Sequence, residues 1–194
     1  MNKETSENVI IADAAFVDKV AFDLTVNFER MLERRIPQAD MARWVECIAL
    51  DGGLRNGNHQ TTVVLIHDKD MMTMENFLPG RLTDELEGKA FSGNLGEFSF
   101  TAPCGEGFVD KDTLMLDTLQ TVLQDGKVKR VMVVPDEAQY NNVREVLHKA
   151  DTADKHITLF AMQPMPGGHF FQEILGYSLM AALGIKGEEL RMEN

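Results

Sequence analysis

The chain has 194 residues, 44% hydrophobic and 26% charged, enough for a core that buries roughly 70% of the unfolded surface. Its 31 acidic residues against 19 basic ones give a formal net charge of −12. That charge opposes phosphate backbones and anionic membranes, so nucleic acid is not an expected partner, and no apolar stretch approaches the ~20 residues needed to span a bilayer.

The first apolar run, Val9-Ile10-Ile11-Ala12-Asp13, reads as a buried strand over residues 8–13. An amphipathic helix follows from Ala14 to Arg35, with Phe16, Val17, Val20, Ala21, Leu24, Phe28, Met31 and Leu32 on one face, and Pro37 ends it. Trp44 to Leu50 and Thr61 to His67 read as two further strands. Asn56-Gly57 between them is a tight-turn signal, so the pair is expected to form a hairpin. Met71 to Leu78 suggests a short helix. Phe91 to Thr101 suggests a small hairpin that turns near Gly93-Asn94.

The last third alternates cleanly. A helix is predicted over Asp112–Gln124, a strand over Arg130–Val134 and a helix over Asp136–Lys149. A strand over Ile157–Met162 follows, and then a final helix from His169 to Leu183. No repeat, low-complexity tract or linker interrupts the pattern. The expectation is one α/β domain over residues 1–194, with three layers and a mixed, mostly parallel sheet carrying helices on both faces.

Cys47 and Cys104 are the only cysteines. Cys47 lies in an apolar run and reads as a small buried hydrophobe; Cys104 lies in a glycine-flanked loop, and no base is placed beside it. The polar start Asn2–Glu7 has no secretory pattern, which points to a reduced, cytoplasmic setting. The five histidines show no zinc-ligand spacing.

The carboxylates carry the most specific chemistry. Asp13, Asp51, Asp68 and Asp136 each follow an apolar run read as a strand, which is where open α/β sheets place ligands. Asp13 and Asp136, helped by Asp51, would suit Mg²⁺, which favours carboxylate oxygens and activates water. The plain alternative is that Asp13 and Asp136 only cap the helices they precede. Gly167 and Gly168, placed before the final helix, offer backbone N–H groups to an anion. That final helix is apolar almost all round, so it is expected either to be buried in its own fold or to carry a homo-oligomer contact. Tyr177 and Met180 are the best candidates for its outer face.

Two resemblances follow from these residues. Asp13 after a first strand and Asp136 after a later one resemble the layout of PIN/NYN metal-dependent ribonucleases. That likeness implies divalent-metal phosphodiester chemistry, although Pro135-Asp136-Glu137-Ala138 stands where that class has Gly-Asp-x-Asp. The segments Asn27–Leu32, Ala49–Leu54, Asn94–Phe98 and Glu173–Leu179 resemble those of a bacterial family of unassigned function across nearly the whole chain. This second likeness implies no activity. The sequence therefore leaves a binding protein, acting on a partner or small ligand, ahead of a metal-dependent phosphoesterase.

Overall fold

The computed structural model describes residues 6–191. Strand β1 (Asn8–Asp13) runs straight into α1 (Ala14–Leu32), followed by β2 (Ala39–Asp40), α2 (Met41–Asp51) and β3 (His59–Ile66). A connector carrying β4 (Phe77–Leu78) and a π-helical turn over Leu82–Leu86 leads to the hairpin of β5 (Ala90–Gly93) and β6 (Gly96–Thr101). Next come α3 (Lys111–Gln124), β7 (Arg130–Val134), a 3₁₀ turn over Glu137–Gln139, α4 (Tyr140–Lys149), β8 (His156–Ala161), β9 (Phe171–Ile174) and α5 (Leu175–Ala182).

The main sheet has seven strands in the order β5-β6-β3-β1-β7-β8-β9. Every neighbouring pair is parallel except β5–β6. Alternation along the strands sorts the apolar side chains onto two faces. Ile10, Ala12, Val63, Leu65, Met132 and Val134 pack under α1, α2 and α5. Val9, Ile11, Val64, Ile66, Val131 and Val133 pack under α3 and α4. The sheet is thus mixed and mostly parallel, with helices on both faces, as its continuous apolar strands predicted.

Three local expectations are corrected. The run Trp44–Leu50 is helix, not strand. Asp40 caps α2 by accepting from the Arg43 N–H, and Met41, Trp44, Val45, Ile48 and Ala49 are buried at helical spacing. Fully buried Trp44 meets Phe77 edge to face at 5.6 Å, which ties α2 to β4. The expected hairpin with β3 therefore does not exist. β3 lies parallel between β1 and β6, and Asn56-Gly57 belongs to a crossover loop.

The stretch Met71–Leu78 is mostly irregular, and its end pairs in parallel with β2. The predicted last helix begins later than expected, because residues 171–174 extend the sheet beside β8 and α5 starts only at Leu175. Gly167 and Gly168, expected to open that helix, instead precede an edge strand. Leu175, Ser178 and Leu179 of α5 are buried, whereas Tyr177 is 70% exposed.

Candidate functional site

Apart from β5, the sheet is a doubly wound set of parallel strands, β6-β3-β1-β7-β8-β9. The chain winds outward from β1 through β3 to β6, then returns to β7 and winds the other way. The strand order reverses between β1 and β7. The crevice beyond their carboxyl ends is where open α/β sheets bind ligands.

Asp13 is the last residue of β1 and the cap of α1; its Oδ1 accepts from the Phe16 N–H at 3.0 Å. Its other oxygen accepts from Lys111 Nζ at 2.6 Å, with only 5% of the carboxylate side chain exposed. Lys111 opens α3, so crossing from β6 into α3 drops its side chain over the end of β1. The same ammonium lies 3.2 Å from Asp112 and 4.0 Å from Asp136, which follows β7. Burial by itself lowers the pKa of Lys111, but the hydrogen bond and charge of Asp13, then those of Asp112, raise it on balance. The ammonium is held charged.

Neighbouring groups brace this arrangement. Asp136 caps the turn after β7 by accepting from the Ala138 N–H at 3.0 Å. Gln139 donates to the second oxygen of Asp112 at 3.4 Å, and Asp68, beyond β3, accepts from the Lys111 backbone N–H at 3.3 Å. Glu137 accepts from the Met162 N–H just past β8. Buried His67 sets both ring nitrogens against carbonyl oxygens, those of Asp68 and Ala102. The ends of β1 and β7 and the start of α3 thus gather Asp13, Asp112 and Asp136 around one cation, three carboxylates against one ammonium. Among the described residues no three His, Cys, Asp or Glu side chains form a metal cage.

The structure brings Asp13 and Asp136 together and leaves Asp51 out. Asp51 ends α2, and the carbonyl of the next residue, Gly52, accepts from Arg130 at 2.6 Å. Arg130 opens β7, so Asp51 sits at the amino end of the sheet, opposite the other two. The cause of the misplacement is the helix at Trp44–Leu50, which carries the chain away from the strand ends. Burial, then the charge of Glu173, pushes the Asp51 carboxyl up to about 6. Gly167 and Gly168 adopt φ of 79° and 122° in a loop, so the backbone donors of a helix start are not available there.

Cys47 is half-buried, and its thiol is pushed up chiefly by burial, with Asp51 and Glu46 adding to it, against a lowering by Arg43. Cys104 is half-exposed, and its backbone forms a bridge with His67. Sequence reasoning missed Lys111 and Asp112. No local pattern marks either one, since their place over β1 depends on a crossover that joins residues far apart in the chain.

The pattern of a family described as "Family of unknown function (DUF6621)" matches residues 2–190, and the chain belongs to that family. No curated protein and no solved structure matches it.

Proposed function

We propose that this family member is a single-domain, cytoplasmic binding protein whose site lies over the β1–β7 switch point. The observation that carries this reading is the convergence of Asp13, Asp112 and Asp136 on Lys111 at the place where strand order reverses. Three carboxylates around one occupied ammonium leave acceptors in excess. The matching ligand is a small molecule that brings donors, either an amine or a vicinal diol. Two unpaired cysteines accord with a reducing compartment, and no described helix is long and apolar enough to cross a membrane.

Thermal unfolding with spermidine and with adenosine tests this, the two serving as amine and diol probes. At ten times its Kd a ligand stabilises by about 1.4 kcal/mol, which is a rise of roughly 3–6 °C for a chain of this size. The shift should vanish in D112N/D136N. A flat response of the wild type to both probes would refute the reading.

A second reading rests on the placement of Asp13 at the end of β1 and of Asp136 just past the end of β7, its parallel neighbour. In it, Asp13 and Asp136, with Asp112 beside them, would hold Mg²⁺ in place of the Lys111 ammonium, and the ion would supply an activated water for a phosphodiester, the chemistry that the PIN/NYN-like layout implies. Asp112 stands nearer to this pair than Asp51 does. Manganese-dependent cleavage of bis(p-nitrophenyl) phosphate that is lost in D13N would put this reading first. Self-association is a further part of the proposal. Phe171 is exposed at the start of the edge strand β9 and Tyr177 on α5, which follows it, and a two-fold pair built on this edge would cover apolar surface and pair the free strand.

A further inference from the structure

Away from the switch point, α4, the loop over residues 163–170 and the start of β8 enclose a small cavity of about 170 Å³. We infer that this cavity is a second site and that it takes a small oxyanion, a carboxylate or phosphate group.

Charge is the first argument. The chain has 31 acidic residues, yet no carboxylate lines this cavity among the described residues. Its ionisable walls are His148 from α4, His169 from the loop and Lys155 just before β8. The Lys155 side chain is 2% exposed. Its ammonium donates to the carbonyls of Asp125 and Val128 at 2.8 and 2.7 Å and lies 3.8 Å from Asp154. Asp154 is itself engaged by Lys129 at 3.1 Å. Lys155 is therefore a fixed positive charge in the wall, and the open donors come from the imidazoles.

Geometry is the second argument. The His148 and His169 rings meet edge to face with centroids 5.9 Å apart, and neither hydrogen-bonds to another described residue. Leu147, Ile157 and Phe170 supply the apolar walls. The loop turns at Gly167 and Gly168, whose φ of 79° and 122° favours glycine. A Cβ at Gly167 would stand 2.7 Å from Arg144 Nη2, and one at Gly168 would stand 2.5 Å from the Phe170 ring. Closure also brings the Arg144 guanidinium up against the loop, where its Nε is buried with no partner. The glycines singled out in the sequence thus serve an anion by packing, not by offering helix-start N–H groups. A pocket with a fixed lysine charge in its wall, an N–H on each imidazole and no carboxylate favours a ligand rich in acceptors.

Imidazole ¹H–¹³C NMR of the wild-type protein tests this. Sodium acetate and sodium phosphate are titrated separately, with ionic strength held constant by chloride. Saturable shifts at His148 and His169, with His59 and His67 unmoved, are the expected result. Saturation by acetate alone assigns a carboxylate ligand, by phosphate alone a phosphoryl ligand, and by both a general oxyanion pocket. In H148Q/H169Q, which changes only exposed side chains, the Gly167 and Gly168 amide signals replace the imidazole readout, and affinity should fall at least tenfold. Shifts that grow linearly to 50 mM, equal shifts at all exposed histidines, or unchanged affinity in the double variant would each overturn the assignment.

Discussion

Replacing Lys111 with methionine keeps the aliphatic stem and removes only the charge. Asp13, 5% exposed at its side chain, then loses the Lys111 ammonium while Asp112 and Asp136 remain close by. Breaking a buried pair this way costs about 3–5 kcal/mol. Lys111 is 17% exposed and Asp13 keeps its bond from the Phe16 N–H, so the loss should be nearer about 2–4 kcal/mol. A loss of about 3 kcal/mol corresponds to a fall of roughly 6–12 °C in Tm.

The pH dependence follows from the direction of the Lys111 shift. Its folded-state pKa is raised above the ordinary 10.5, so the ammonium stabilises the fold fully below that value and progressively less above it. The gap between wild type and K111M should therefore be full at pH 7 and narrow at strongly alkaline pH. Urea unfolding of the wild type, K111M, D13N and D13N/K111M completes a double-mutant cycle. The double variant should be more stable than K111M alone, because the amide introduced at position 13 still caps α1 and leaves no stranded charge. A K111M protein within about 0.5 kcal/mol of wild type at pH 7 would refute the reasoning.

Asp51 offers the opposite sign. Its carboxyl titrates near 6 instead of the ordinary 3.8, so its charged form weakens the fold above pH 6 and costs nothing below pH 4. D51N should gain about 1 kcal/mol at pH 7.5, after allowing for solvent screening, and nothing at pH 4; calorimetric scans at both pH values check this. Y177D should leave a monomer within about 0.5 kcal/mol of wild type but dissociate a dimer built on that face, and light scattering distinguishes the two. Single-stranded RNA titrated at about 150 mM salt should not bind at micromolar concentrations, given the net charge of −12; tight binding would favour the phosphodiester reading.

The sequence was most legible where burial and periodicity coincide. β1, β7 and β8 each carry an unbroken or nearly unbroken apolar run, and α1, α3 and α4 show clear inner faces, so each emerged near its observed bounds. α2 was misread because its exposed side is itself partly apolar: Leu50 is 43% exposed and Cys47 half-buried, which hid the helical stripe of Trp44, Val45, Ile48 and Ala49. β9 was misread for the converse reason. Phe171–Ile174 has no strand alternation, and pairing with β8 rather than local preference makes it extended. Of the site, Asp13 and Asp136 could be placed because each ends or follows a strand visible in sequence. Lys111 could not, because it reaches Asp13 across 98 positions of chain.

The same span of chain sets an order of assembly on the ribosome. β1 emerges first and finds β3 soon afterwards, but its other edge must wait for β7, where Ile10 pairs with Met132. At roughly 5–20 residues per second, that wait is on the order of ten seconds. Through that interval the central strand of the sheet carries an unpaired edge, and the carboxylate at its tip lacks its lysine until α3 has been made. The nascent chain thus faces its greatest exposure at what becomes the most deeply enclosed strand. A chaperone acting during synthesis would have its main work in that window, before Arg130–Val134 clears the exit tunnel and closes the sheet.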